Sequence, residues 1–142
     1  MKKIIFGLFI IALSIPVLIS CGTAPEPASA PTAQQARELI LDGATNYTVV
    51  RGDTLADIAA RRYGGSNMYF FPLIRLANAG IIPDPDVIEV GMNLVIPDLQ
   101  RNLNNDGSKA VLKADMLSIA GQYERQSKPR AAATLRNMGN RL

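Results

Sequence analysis

An apolar run near the start of the chain most restricts what the rest can build. Ile4 to Ile19 is 16 residues long, broken only by Gly7, Ser14 and Pro16, and Lys2 and Lys3 precede it. That length falls short of the ~20 residues needed to cross a bilayer as a helix. A basic start and a short apolar stretch ending in small residues predict a secretory signal peptide over residues 1–20. An uncleaved short anchor is the alternative. Either way these side chains lie outside any water-soluble core, so the 48% hydrophobic content of the 142 residues overstates what a globular part can bury. One small domain with appendages remains.

The run closes on Leu18-Ile19-Ser20-Cys21, an aliphatic residue three places before the cysteine and a small one just before it. This resembles the lipobox of bacterial lipoproteins. The resemblance implies a diacylglycerol thioether on Cys21, cleavage after Ser20 and acylation of the new amino terminus with chains such as palmitate. Two or three acyl chains, at ~0.8 kcal/mol per buried CH₂, make a stable anchor. Gly22, in place of an acidic residue, implies an outer-membrane lipoprotein facing the periplasm.

Composition removes whole classes of chemistry. With no histidine and a single cysteine, the chain has no His-based acid–base pair, no Ser-His or Cys-His nucleophile, no His/Cys zinc site and no internal disulfide. No cofactor and no metal are expected. A net charge of +3 is too small to argue for nucleic acid. The charge is also unevenly spread: net −2 over 22–45, −1 over 46–97 and +4 over 98–142.

Residues 21–45 read as the lipidated cysteine and a linker. Pro25, Pro27 and Pro31 favour extended backbone, and residues 34–41 predict a brief helix stopped by Gly43. Residues 22–45 span at most ~80 Å fully extended, or ~25–30 Å as a flexible coil.

Residues 46–97 have the pattern of a compact module. Tyr47 to Val50 predicts a strand with Tyr47 and Val49 on one face. Arg51-Gly52-Asp53-Thr54 turns the chain, and Asp53 or Thr54 caps a helix running to about Arg62, with Leu55, Ile58 and Ala59 as its apolar stripe. Gly64-Gly65 stops it. A second helix is predicted near Tyr69–Asn78, with Pro72 in its first turn. After a proline-rich loop from Ile81 to Asp86, Asn93 to Ile96 predicts a closing strand. The helices return the chain to its start, so the strands pair antiparallel, and the helices must cover one face of so small a sheet. The fold class is α+β, strand–helix–helix–strand.

Tyr47-x-Val49-x-x-Gly52-Asp53-Thr54-Leu55-x-x-Ile58-Ala59, then Ile74-x-x-Ala77-Asn78, then Ile88-x-x-Gly91-x-x-Leu94-x-Ile96-Pro97 resemble, in order, the opening, second helix and closing strand of a LysM domain. Met92 departs from the usual glutamine, and the segments around the second helix are long. The resemblance implies non-catalytic binding of N-acetylglucosamine-containing glycans such as peptidoglycan. The groove it implies has Gly52, Asp53, Thr54 and Leu55 on one wall and Ala79, Gly80, Ile81 and Ile82 on the other. Two backbone loops with glycine at the approach points suit an N-acetyl group, which needs an amide donor, a carbonyl acceptor and a small apolar pocket. Gly52-Asp53-Thr54 is in any case a turn and cap, Ile81 and Ile82 compete between groove and core, and most of Met68 to Phe71 is expected to bury against the first helix. One shallow module implies micromolar to millimolar dissociation constants, roughly −8 to −4 kcal/mol, which confinement at a membrane offsets.

Residues 98–142 predict a basic helical tail. Leu112, Met116, Ile119 and Tyr123 fall at helical spacing within a helix from Lys109 to Gln126, and residues 131–138 predict another after Pro129. Asn102-x-Asn104-x-Asp106 matches half a calcium loop, but Lys113 stands where a bidentate glutamate is required, so it reads as a capping turn. The stripe docks on the module, pairs with a second copy or binds a protein partner, in which last case the module is only positional. An enzyme is not expected, because the tail has no paired carboxylates on rigid elements.

Overall fold

The computed structural model describes residues 38–142; the signal peptide, Cys21, most of the linker and residues 34–37 of its predicted helix lie outside them. Strand β1 (Thr45–Thr48) pairs antiparallel with β2 (Asn93–Ile96), Tyr47 opposite Leu94. Between them come helix α1 (Leu55–Tyr63), a 3₁₀ turn (Gly65–Phe70) and helix α2 (Phe71–Ala77). The expected strand–helix–helix–strand order is present. Three helices follow: α3 (Leu99–Leu103), α4 (Asp106–Arg125) and α5 (Pro129–Gly139).

Strand β1 begins earlier than Tyr47 because its backbone finds β2 from Thr45 onward. Past its end the pairing continues as Val49 N to Met92 O (2.8 Å) and Gly91 N to Val49 O (2.9 Å). Val49 is buried and Tyr47 half-buried, as their shared face requires. Helix α1 starts where Thr54 accepts from Asp57 N (3.1 Å) and donates to Asp57 Oδ2 (2.7 Å). It ends at Gly64, whose φ of 94° is a conformation side chains disfavour.

Residues 38–41 form a turn rather than the end of the predicted helix. Their backbone groups are taken by side chains from the tail. Asn102, fully buried, donates to Ile40 O (2.9 Å) and accepts from Ile40 N (3.0 Å); Ser108 Oγ donates to Glu38 O (2.9 Å). Leu39 is buried and Asp42 pairs with Arg101. The half-match to a calcium loop is thus a clamp and a cap: Asn105 accepts from Ser108 N (2.9 Å) at the start of α4.

The tail packs on the module. Leu112, Met116, Ile119 and Tyr123 are all buried, and with Leu135 of α5 they share one core with Leu55, Ile58, Leu73, Ile74, Leu76 and Leu94. This stripe faces the domain. The same packing explains α2, where every residue from Phe71 to Leu76 is buried, including Arg75: β2 and α1 cover one side and α4 the other. Arg75 pairs with Asp115 of α4, both side chains 3% exposed.

Asp115 has its carboxyl pushed up to about 6 by burial, against the pull of Arg75. A carboxyl raised above its unfolded value binds its proton more tightly in the folded state, so its contribution to stability falls as pH rises through the folded value. Urea midpoints are therefore expected to decline between about pH 4.5 and 6.5 and to level off above. In Asp115→Asn that decline disappears; persistence of the same slope excludes this carboxyl as its source.

Candidate binding site

The turn from Val50 to Leu55 is built around one carboxylate. Asp53 N closes the turn on Val50 O (3.2 Å), and the Asp53 side chain, 5% exposed, accepts from Val50 N (2.9 Å), Tyr47 Oη (2.8 Å) and Arg61 (2.5 Å). The Val50 amide, then Tyr47 and Arg61, hold this carboxyl below the usual range against the opposing effect of burial. The Arg61 and Arg62 guanidinium groups each lie 5.7 Å from the Tyr47 ring centroid. Arg61, in the last turn of α1, thus ties that helix end to the turn while staying half exposed.

These side chains are committed to the turn itself. The Asp53 carboxylate already accepts three hydrogen bonds and the Thr54 hydroxyl is occupied with its cap. What the turn offers outward is main chain: the amides of Leu55 and Ala56, in the first turn of α1, have no intrahelical acceptor. Both residues line a cleft of about 130 Å³ together with Asp53 and Thr54. That volume is ample for an acetamido group.

The opposite wall is not the expected one. Pro85, Asp86 and Ile88 form it, with Phe71 and Tyr123 completing the lining. Gly52 (φ 89°) is exposed in the turn but does not line the cleft, and neither do Ala79, Gly80, Ile81 and Ile82. Ile82 has no exposed surface and belongs to the core; Ile81 is 48% exposed. Their amides, and that of Ala79, are already bonded to Asn78 O and Leu76 O. Of the expected aromatic group only Phe71 is buried, while Met68, Tyr69 and Phe70 are half-buried.

The loop that does form the wall is held from outside the module. Asp86 accepts from Tyr123 Oη (2.7 Å) and Lys128 Nζ (2.7 Å), Asp84 accepts from Gln122 Nε2 (3.2 Å), and Pro83 O accepts from Arg75 (2.9 Å). Burial and the neighbouring Asp86 push the Tyr123 hydroxyl upward, so it stays a proton donor. Sequence reasoning noticed this loop only as too proline-rich for regular structure. Val50, Val87 and Val90, 53%, 56% and 69% exposed, sit on the two loops beside the cleft and offer apolar surface. A larger cleft of about 370 Å³ lies by Arg62, Tyr63, Ile96 and Leu99, at the other end of the strand pair.

Residues 47–97 match the family model described as the LysM domain. They are a LysM domain. LysM domains bind N-acetylglucosamine-containing glycans, and the cleft lies on this one, between the turn that opens α1 and the loop before β2. Two proteins of Mycobacterium tuberculosis are similar to the chain: Esterase MT1326 (strain CDC 1551 / Oshkosh) and Esterase Rv1288 (strain ATCC 25618 / H37Rv). Each is 43% identical over 65 residues, which is 46% of this chain and 13% of the relative. The matched stretch thus spans about an eighth of these relatives' length. No solved structure matches the chain.

Because the LysM cleft is shaped by the Asp53 hub, Asp53→Ala is expected to destabilise the chain by about 1 kcal/mol, the net loss of hydrogen bonds whose donors are part-buried or exposed. Urea denaturation checks the loss; a change under 0.5 kcal/mol would mean the turn holds its shape without the carboxylate.

Proposed function

We propose that this chain is a non-catalytic glycan-binding protein of the bacterial envelope, anchored through lipid on Cys21, whose LysM domain holds peptidoglycan by its N-acetylglucosamine units. The observation that carries the binding is the open cleft between the free first-turn amides of α1 and the 85–88 loop. Main-chain donors suit a neutral amide, and the valines beside the cleft suit the apolar faces of sugar rings. Two carboxylates line it, Asp53 and Asp86. The first is held ionised, and the second is engaged by Tyr123 and Lys128, so both are committed to holding the walls in place. That supports binding without cleavage.

The lipobox pattern supports an outer-membrane lipoprotein facing the periplasm. Among the described residues no helix is long and apolar enough to cross a membrane. Sixteen residues separate Cys21 from Glu38, where the described structure begins. They reach at most about 55 Å, which keeps the domain close to its anchor.

Co-sedimentation of residues 22–142 with purified peptidoglycan tests the reading. The protein is expected in the pellet, released by soluble N-acetylglucosamine oligomers, with no soluble fragments produced. Protein that stays in the supernatant beside a pelleting control overturns the binding, and released fragments overturn the absence of catalysis.

A further inference from the structure

We propose that the glycan site extends beyond the LysM domain: Tyr123, from the C-terminal region, lines the cleft, and Tyr123 and Lys128 together fix its second wall. This inference rests on the glycan-binding reading above and names the residues that complete that same site.

Two observations converge. First, Tyr123 lines the cleft directly, opposite the turn of α1, although it lies 26 residues past the domain's last matched residue, Pro97. Second, the Pro83–Asp86 segment has little internal support. Its own bonds are Asp86 N to Asp84 Oδ1 (2.9 Å) and Val87 N to Asp84 O (3.1 Å), which shape a local turn without fixing where that turn sits. Its side-chain ties from other elements come from Gln122, Tyr123, Lys128 and Arg75, and Arg75 is itself paired with Asp115 of α4. Each leads to the C-terminal helices.

The physical consequence concerns affinity. A loop that must be ordered on binding loses part of the interaction energy to that ordering, and a loop already held does not. Lys128 contributes twice, since its Nζ bonds Asp86 and lies 4.7 Å from the Tyr123 ring centroid. It neutralises the carboxylate and covers the ring that lines the cleft. Residues 84–88 are thus presented to a neutral, N-acetylated sugar as a preformed wall.

The test uses the chain from residue 22 to 142 and tetra-N-acetylchitotetraose, followed by calorimetry at a temperature where every variant is folded. Tyr123→Phe keeps the ring and removes its bond to Asp86; Lys128→Ala alters an exposed side chain. The control is Tyr63→Phe, which removes a comparable bond, to Pro97 O (3.0 Å), beside the other cleft. The double variant Tyr123→Phe/Lys128→Ala is expected to bind about tenfold more weakly, with amide shifts at residues 84–88 altered before ligand is added. Tyr63→Phe is expected to bind as the unaltered chain does. If the unaltered chain binds and the double variant binds equally well, or if the control weakens as much, the C-terminal helices are not part of the site and the inference falls. If the unaltered chain binds no N-acetylglucosamine oligomer, the glycan-binding reading fails and the inference with it.

Discussion

Replacing Asp115 by alanine is expected to lower stability by about 3–5 kcal/mol, because it strands Arg75 as an uncompensated buried charge. The guanidinium is 3% exposed, and its Nε has no hydrogen-bond partner among the described residues. A domain of this size has roughly 5–15 kcal/mol in total, so the variant sits close to unfolding. The pair itself is not a strong source of stability, since burial raises the Asp115 carboxyl despite its partner. Arg75→Met combined with Asp115→Leu is accordingly expected to regain most of the loss. The double variant still lacks the bond from Arg75 to Pro83 O, so it is expected to fold well and bind N-acetylglucosamine oligomers more weakly. Urea denaturation and calorimetry on the same samples separate the two effects. A single variant losing less than 1 kcal/mol would show the charge reaching water.

That experiment addresses what the buried pair does in the fold: it joins the LysM domain to the helices beyond it. Residues 47–97 were legible in sequence because each element has local punctuation. Thr54 and Asp57 cap α1, Gly64 ends it, Pro72 opens α2, and alternation marks β2. The stripe of α4 was equally legible as a helix. What local pattern could not reveal was where that stripe docks, and the misread features follow from this gap. Residues 38–41 have helix-compatible side chains, yet Asn102 and Ser108 take their backbone groups from about sixty and seventy positions away. Arg75, a charged residue within α2, is buried with Asp115 of α4 as its partner. The LysM resemblance implies a second wall at Ala79–Ile82, and no local pattern shows that Gln122, Tyr123 and Lys128 hold residues 84–86. The first wall needed only short-range contacts, and its Asp53, Thr54 and Leu55 do line the cleft.

The neighbouring isoleucines provide the sharpest separation of those two placements. Ile82→Ala is expected to destabilise the chain by about 2–5 kcal/mol, the range for removing a large aliphatic side chain from a packed core. Ile81→Ala is expected to stay within about 0.5 kcal/mol, as exposed positions usually do. Ile82 is fully buried and Ile81 48% exposed, and the Ile82 side chain lies in the cluster with Leu76, Leu94 and Leu112. Were Ala79–Ile82 the second wall of the glycan groove, the pattern would differ: Ile81→Ala would weaken oligomer binding while leaving the fold intact. On the observed geometry Ile81→Ala binds like the unaltered chain, and the loss of affinity follows changes at Asp86 and Ile88. Thermal unfolding and oligomer titration of the two alanine variants decide between the arrangements. Weakened binding by Ile81→Ala with an unchanged melting temperature would return the site to the loop immediately after α2.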